Sequence, residues 1–454
     1  MEMPCKTQEL SYYLDRHFTC ACGREHYASL KKVSIKKGAL NDLPLFAKGL
    51  GFRKLYLISD PVTYEIAGRD CMAILQKAGI EAKMCVLHHT AFDEATVGEL
   101  LFQMPLDYDL AVAVGTGAIN DMTRFFSHRT GRPFFTVATA APMDGFASSI
   151  GVLNINHLKT TVDAQTPTAI IGDTDILKNA PYRMIAAGLG DLLGKFTCLC
   201  DWKLSRVINT EHYCESIVSL VENCVRDVLK DANKTADRDP EILGDIMNGL
   251  VLTGVAMSLY GDSRPASGCE HHMSHYWEMM FEQKGERAAP HGTQVGVGTV
   301  LILKAVEELL KRKTIDFDAA REHARAYDSD KWADEILAAY GSAADGIMIL
   351  EKKAQKNNSQ KVLSRIDAME AHWDEIVKIL QELPSSAYVA SLLEDLQSPD
   401  VPLEIGVDRE LLKNTFLYCK EVRARYTFLQ MLWDLDLLDE ISDSVIQQCY
   451  PSES

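Results

Sequence analysis

Two patterns of apolar and polar positions succeed one another along the chain. From about residue 30 to residue 180, short apolar and β-branched runs alternate with stretches whose apolar residues recur at helical spacing. The runs KVSI, KLYLISD, AKMCVL, DLAVAVG, FFTVAT and TAIIGD read as strands, and AGRDCMAILQKAG and EATVGELLFQM between them as helices. This alternation predicts a doubly wound, largely parallel, Rossmann-like α/β sheet that binds ligands at the carboxyl ends of its strands. After NAPYRM, residues 179–184, the strand pattern stops; from GLGDLLGKFTCLCDWKLS to LQMLWDLDLLDEISDSV the periodicity is helical and predicts an all-α domain. The expected division is 1–182 for the α/β domain and 183–454 for the helical one, with a helical extension from about residue 315. The charge-rich stretch 351–378 is accounted for by a solvated amphipathic helix.

Composition narrows the partners. A chain of 454 residues, 47% hydrophobic and 24% charged, is that of a globular protein with a large core. A formal charge of −17 argues against a polyanion-binding surface, so nucleic acid is not expected as a partner. A small anionic substrate remains accessible to a local set of donors or to a metal. No signal-like segment opens the sequence and no uninterrupted apolar run reaches about 18 residues, so a cytoplasmic protein with no membrane insertion and reduced cysteines is expected. In CACGREH, Cys20, Cys22 and His26 offer three soft donors, but a structural zinc site takes four, usually with CxxC-like spacing; a tight turn is the simpler expectation.

Candidate chemistry falls at five places. Asp60 ends a strand, where a carboxylate can bond the adenosine ribose of a dinucleotide and repel a 2′-phosphate, or simply cap a helix. AVAVGTGAIND runs from an apolar strand through Gly115 and Gly117 into a helix, a turn whose N–H groups suit a pyrophosphate, although GTGAIND is not GxGxxG. In ATAAPMDGFASS, Thr139, Asp144, Ser148 and Ser149 crowd a strand's carboxyl end and suit a nicotinamide ribose and a polyol, with helix capping as the alternative. Asp191 in GLGDLLGK is either a third ligand of an open metal site or an N-cap. Finally, SGCEHHMSHYWEM sets His271 and His275 four apart, on one helical face, ahead of His291 in PHG; His272 points to another face. No Glu follows His271 directly, so this is not a zincin motif.

Taken in order, AVAVGTGAIND, ATAAPMDGFASS, GLGDLLGKFTCLCDWKLS, SRPASGCEHHMSHYWEM and PHGTQVGVGT resemble the sn-glycerol-1-phosphate dehydrogenases, in their bacterial AraM-like branch. These belong to the iron-containing alcohol dehydrogenase and dehydroquinate synthase superfamily. The resemblance covers roughly residues 30 to 310 and implies an α/β domain binding NAD(P), a helical domain carrying a divalent metal, catalysis in the cleft between them, and a homodimer. It implies Asp191, His271 and His291 as metal ligands, with nickel or zinc the expected metal and iron a further fit. The gap from EH to HG, twenty residues, leaves His275 as the alternative ligand; His271 is favoured because the first histidine of an HxxxH pair ligates in the wider superfamily. Asp144, Asp191 and His275 are implied as substrate contacts, with Asp191 and His275 catalytic. Gly117, Ala118, Ile119, Asn120, Asp121, Thr139, Ala140, Ala141, Pro142 and Ser148 fall where the family holds the dinucleotide. Lys195 and Arg264 are cationic candidates for a substrate phosphate. The expected reaction is hydride exchange between NAD(P)H and dihydroxyacetone phosphate. A polyol dehydrogenase, or a relative that kept the metal and lost turnover, is the alternative.

Overall fold

The structure is a computed structural model and describes residues 1–4, 9–88, 93–155 and 158–451. Its contacts group into two compact units, the first made of residues 1–192 and 215–263, the second of residues 193–214 and 264–454.

In the first unit all six expected runs form one parallel sheet. Its strands are β3 (Lys32–Lys36), β4 (Lys54–Ser59), β5 (Glu81–Val86), β6 (Leu110–Gly115), β7 (Phe134–Ala138) and β10 (Ala169–Asp173), in the order β3-β10-β7-β6-β4-β5. The near-continuous apolar runs follow from coverage of both faces. Leu55, Leu57, Val112, Val114, Phe135 and Val137 pack with Leu43 and Ala47 of α1 (Leu43–Gly49) and Cys71 and Leu75 of α2 (Arg69–Lys77). Tyr56, Ile58, Ala111, Ala113 and Phe134 pack on the other side with Leu100 of α3 (Glu94–Gln103) and Ile119, Met122 and Phe126 of α4 (Gly117–Thr130). Strand β4 lies between β5 and β6, so the winding reverses there, and a crevice opens at the carboxyl ends of β4 and β6.

Two antiparallel hairpins were not expected from the periodicity: β1 (Arg16–Thr19) with β2 (Glu25–Ala28), and β8 (Ile150–Ile155) with β9 (Leu158–Asp163). The strands of the first are four residues long and those of the second six, and neither hairpin joins the main sheet. Three helices also belong largely to this unit: α5 (Tyr182–Leu193), α7 (Glu215–Leu229) and α8 (Pro240–Tyr260). The boundary expected at residue 182 marks where strands end, whereas the compact units follow packing. Helix α8 is long and apolar enough to cross a membrane by length and composition, yet 78% of its apolar window is buried in the protein. It is apolar over most of its circumference because it is a core helix, while Asp245 and Asn248 interrupt the run.

The second unit is helical. It comprises α6 (Lys195–Asn209), α9 (Cys269–Gln283), α10 (His291–Leu310) and the helices from Phe317–Arg325 to Leu438–Cys449. Asp201 organises it: one carboxylate oxygen accepts from Cys269 N (2.8 Å) at the start of α9, the other from Phe428 N (2.6 Å) at the start of helix Phe428–Asp434. The stretch 351–378 is not one solvated helix. Gln355 turns it at φ +52°, and Asn358 caps a new helix, Ser359–Ala371. That helix buries Val362, Ile366 and Met369, and its Arg365 grips Asp434 through two bonds of 2.6 and 2.7 Å.

Candidate active site

Three loops at neighbouring carboxyl ends of the sheet carry the expected dinucleotide residues. Asp60 follows β4 and caps the short helix Pro61–Thr63 in a capping box, its Oδ1 accepting from Thr63 N at 2.7 Å. The capping role is therefore present. Next to it, β6 ends at Gly115 and α4 starts at Gly117, with Thr116 at the N-cap offering no side-chain bond to the first N–H groups. A Cβ at Gly115 would stand 2.8 Å from Ile119 Cβ, so glycine lets the strand pass straight into the helix. Ala118 and Ile119 lie in the first turn of α4. Asn120 is buried and accepts from Thr136 Oγ1 of β7 (2.7 Å). Asp121 pairs with Arg124 (2.6 Å).

The third loop follows β7, whose next residue, Thr139, donates through its N–H to Gly115 O at 3.3 Å. From Thr139 through Ala140, Ala141 and Pro142 to Ser149 this loop is held from two sides. Arg124, fully buried, donates to the carbonyls of Gly145, Phe146 (3.1 Å) and Ile150 (2.9 Å). Ser258 of α8 donates to Ala147 O at 2.7 Å. Two glycines permit the close approach: a Cβ on Gly188 of α5 would stand 2.1 Å from Ala141 O, and one on Gly254 of α8 2.9 Å from Asp144 O. Ser148 Oγ accepts from Ile150 N (3.1 Å), a local turn rather than a helix cap.

The same loop meets Asp191. Asp144 N donates to Asp191 Oδ2 at 2.8 Å, and both side chains are buried. Asp191 lies inside α5 and is not an N-cap. The structure thus brings Asp144 and Asp191, 47 residues apart, to one place in the first unit.

In the second unit three imidazoles converge. His271 and His275 share a face of α9, with ring centroids 6.4 Å apart; His291, at the start of α10, lies 5.2 Å from His271 and 5.5 Å from His275. Each is oriented through Nδ1: His271 by Glu270 Oε1 (2.7 Å), His275 by Glu278 Oε2 (3.2 Å), and His291 by Ser274 Oγ (3.1 Å) and Glu278 Oε1 (3.3 Å). A carboxylate on Nδ1 places the ring proton there and makes Nε2 the donor nitrogen, an arrangement that holds metal-ligating histidines. Burial pushes the His275 imidazolium down to about 3 against the pull of Glu278, so the ring is neutral at pH 7. Burial pushes the Glu270 carboxyl up, but the bonds from His271 and from Thr197 Oγ1 (2.6 Å) outweigh it and keep it ionised. His272 is fully buried on another face, and burial holds it neutral as well. Ligand atoms of His275, Glu278 and His291 also lie within 4.8 Å of one another.

Glu270, Glu278 and Ser274 were not picked out from the sequence. Glu278 had a signal, its i+3 spacing from His275, while Glu270 orients the histidine next to it and is hidden by adjacency. Lys195 and Arg264 have framework bonds: Lys195 donates to Ala266 O (2.9 Å), and Arg264 pairs with Glu211 (3.0 Å) and donates to Asp201 O (3.1 Å). Both therefore brace the segment that enters α9.

This combination of a parallel dinucleotide-type sheet and helices carrying clustered histidines is that of the iron-type alcohol dehydrogenases. The model of the iron-containing alcohol dehydrogenase family matches residues 34–181. In fold the chain is similar to a glycerol dehydrogenase from Schizosaccharomyces pombe, with TM-score 0.60 at 14% identity over 94% of this chain and 93% of that one. It is likewise similar to an alcohol dehydrogenase from Oenococcus oeni, with TM-score 0.57 at 17% identity over 93% and 98%. In sequence it is 34% identical over 304 residues to the glycerol-1-phosphate dehydrogenase [NAD(P)+] of Halalkalibacterium halodurans, covering 66% of this chain and 76% of that protein. It is 29% identical over 424 residues to the enzyme of that name from Geobacillus thermodenitrificans, covering 92% and 96%. The chain belongs to the glycerol-1-phosphate dehydrogenase family.

Proposed function

We propose that this protein is a metal-dependent, NAD(P)H-linked oxidoreductase that interconverts dihydroxyacetone phosphate and sn-glycerol 1-phosphate. The observation that carries the reading is the set of three imidazoles, each oriented at Nδ1, in a chain of this family. Neutral nitrogens with one carboxylate suit a divalent metal, with nickel or zinc favoured and iron a further fit. Asp191, His271 and His291 are the proposed ligands. The side-chain-uncapped turn at Gly115, Thr116 and Gly117, beside Asp60 and Thr139, suits a dinucleotide.

When bound, the metal supplies Lewis-acid polarisation of the C2 carbonyl and NAD(P)H supplies the hydride. Asp144, held against Asp191, positions the substrate. His275, neutral with its ring proton on Nδ1 toward Glu278, accepts at Nε2 the hydroxyl proton of sn-glycerol 1-phosphate in the oxidising direction and returns it in the reducing one. The loop from Thr139 to Ser148, fixed by Arg124 and Ser258, orients the nicotinamide half of the cofactor. A homodimer and a cytoplasmic location accompany this reading.

Purified protein of measured metal content is offered dihydroxyacetone phosphate, dihydroxyacetone or glycerol with the matching nicotinamide. Oxidation of NAD(P)H with dihydroxyacetone phosphate is expected. No turnover with any of them at full metal occupancy defeats the reading, and faster turnover of the unphosphorylated substrates makes the protein a polyol dehydrogenase. His271→Ala is expected to lose the bound metal, whereas His275→Ala keeps it and loses turnover. Equal metal retention in the two variants would show that the ligands are assigned wrongly.

A further inference from the structure

We propose that Cys20, Cys22, His26 and Cys214 form a closed, structural zinc site that ties the N-terminal hairpin to the helical return of the first unit. The proposal shares no residue with the oxidoreductase site and does not rest on it.

The β1–β2 hairpin turns through Cys20 to Arg24. Cys20 N donates to Arg24 O (3.2 Å), Gly23 N donates to Cys20 O (3.0 Å), and Gly23 adopts φ +87°, a conformation only glycine takes without strain. The turn brings Cys22 Sγ to 3.3 Å from His26 Nε2. His26 is 1% exposed, and its other nitrogen, Nδ1, stands 2.8 Å from Leu259 O on α8. A carbonyl oxygen can only accept, so Nδ1 carries the proton, and Nε2 presents its lone pair to the thiol side. Anchoring of a histidine through the nitrogen remote from the metal is how ligating imidazoles are fixed.

The fourth donor comes from far along the chain. Cys20 Sγ lies 3.8 Å from Ser216 Oγ, in the first turn of α7. Cys214 is the last residue before the chain re-enters the first unit at Glu215, and its peptide bond to Glu215 keeps it at the start of that helix. The four ligand atoms all lie within 4.8 Å of one another, and Cys214 is completely buried. With Zn–S about 2.3 Å and Zn–N about 2.0–2.1 Å, the edges of a zinc tetrahedron are about 3.5–3.8 Å, so a small contraction suffices.

Three sulfurs and one imidazole favour zinc over the hard cations. Four protein ligands leave no open position, so the site is structural rather than catalytic. Binding as thiolates releases the three cysteine protons and leaves the cluster with one net negative charge. The spacing C-x-C-x3-H fell short of a metal motif in the sequence for want of a fourth ligand, which only the fold supplies.

The full-length protein, purified under reducing conditions, is expected to hold one zinc per chain that survives His271→Ala. When Co2+ replaces zinc, a thiolate-to-cobalt charge-transfer band should appear. The proposed catalytic ligands include no cysteine, so this band does not come from that site, and its loss in Cys22→Ser assigns it to the hairpin cluster. Cys22→Ser should lose the band and one zinc per chain, lower Tm, and keep its turnover number at 25 °C; Cys449→Ser, outside the cluster, should change none of these. If Cys22→Ser does not fold, titration of the unmodified protein with an organomercurial serves instead, releasing that zinc as three thiols react. Absence of any thiolate–cobalt band in the unmodified protein, its persistence in Cys22→Ser, or a native disulfide among the three cysteines would overturn the proposal.

Discussion

At the scale of single residues, most positions singled out for chemistry also have a structural partner, and their substitutions must be chosen to separate the two roles. Asp60 caps a helix through Oδ1. Serine caps equally well, so Asp60→Ser keeps the cap and removes the charge that would repel a 2′-phosphate. The ratio of kcat/KM for NADH over that for NADPH is expected to fall about tenfold, with Tm shifted by less than a degree or two, measured by steady-state kinetics and thermal unfolding. An unchanged ratio would show that Asp60 is a cap alone. Glu278 orients two histidines at once, and Glu278→Gln weakens both bonds. Loss of such an orienting carboxylate lowers metal affinity or activity by about 10–100-fold, a change readable by metal titration and kcat.

At the scale of elements, the loop after β7 is positioned by the helices beneath it. Gly188→Ala would set a methyl group 2.1 Å from the backbone carbonyl of Ala141, where nothing flexible can give way. Overpacking of this kind costs about 1–3 kcal/mol, and a lower Tm with a raised KM for the nicotinamide is expected. Gly98 provides the contrast: it lies in α3 with nothing within 4 Å of its would-be Cβ, so Gly98→Ala should stabilise by about 0.5–1 kcal/mol. Equal effects of the two substitutions, read by denaturant unfolding, would rule out close loop–helix packing as the cause.

The elements also show how far pattern alone reaches. All six strands of the sheet were legible because parallel strands covered on both faces are written as apolar runs bounded by glycine and polar residues. The two hairpins were not: both lie outside the sheet, and the strands of the first are only four residues long. Of the two readings of Asp191, the N-cap alternative fails because the residue lies inside α5; a glycine before an aspartate looks the same at a helix start and inside a helix.

At the scale of the whole molecule, Asp201 links stability to pH. Burial, reinforced by the charge of Glu270, pushes its carboxyl up to about 7 in the folded protein, against an ordinary value of 3.8 when unfolded. The folded state therefore binds the extra proton between these values. Its contribution to stability is fully present below about pH 4 and is lost as the pH rises through 7. In Asp201→Asn this dependence is absent. The urea midpoint of the unmodified protein should fall from pH 5 to pH 8 more steeply than that of the variant, and parallel profiles would refute the assignment.

The fold class, the positions of the six sheet strands along the chain and the chemical type of the candidate residues can be read from the sequence alone, because periodicity and residue chemistry are local properties. It also carried the family resemblance, in five ordered motifs. Tertiary packing brings the distant partners together: Asp144 with Asp191, His291 with Ser274 and Glu278, and Cys214 with a hairpin nearly two hundred residues earlier. Such meetings depend on how helices pack and where the chain returns, and neither is encoded in the spacing of neighbours. The same limit applies to the two compact units, whose membership follows packing rather than the point at which strands give way to helices.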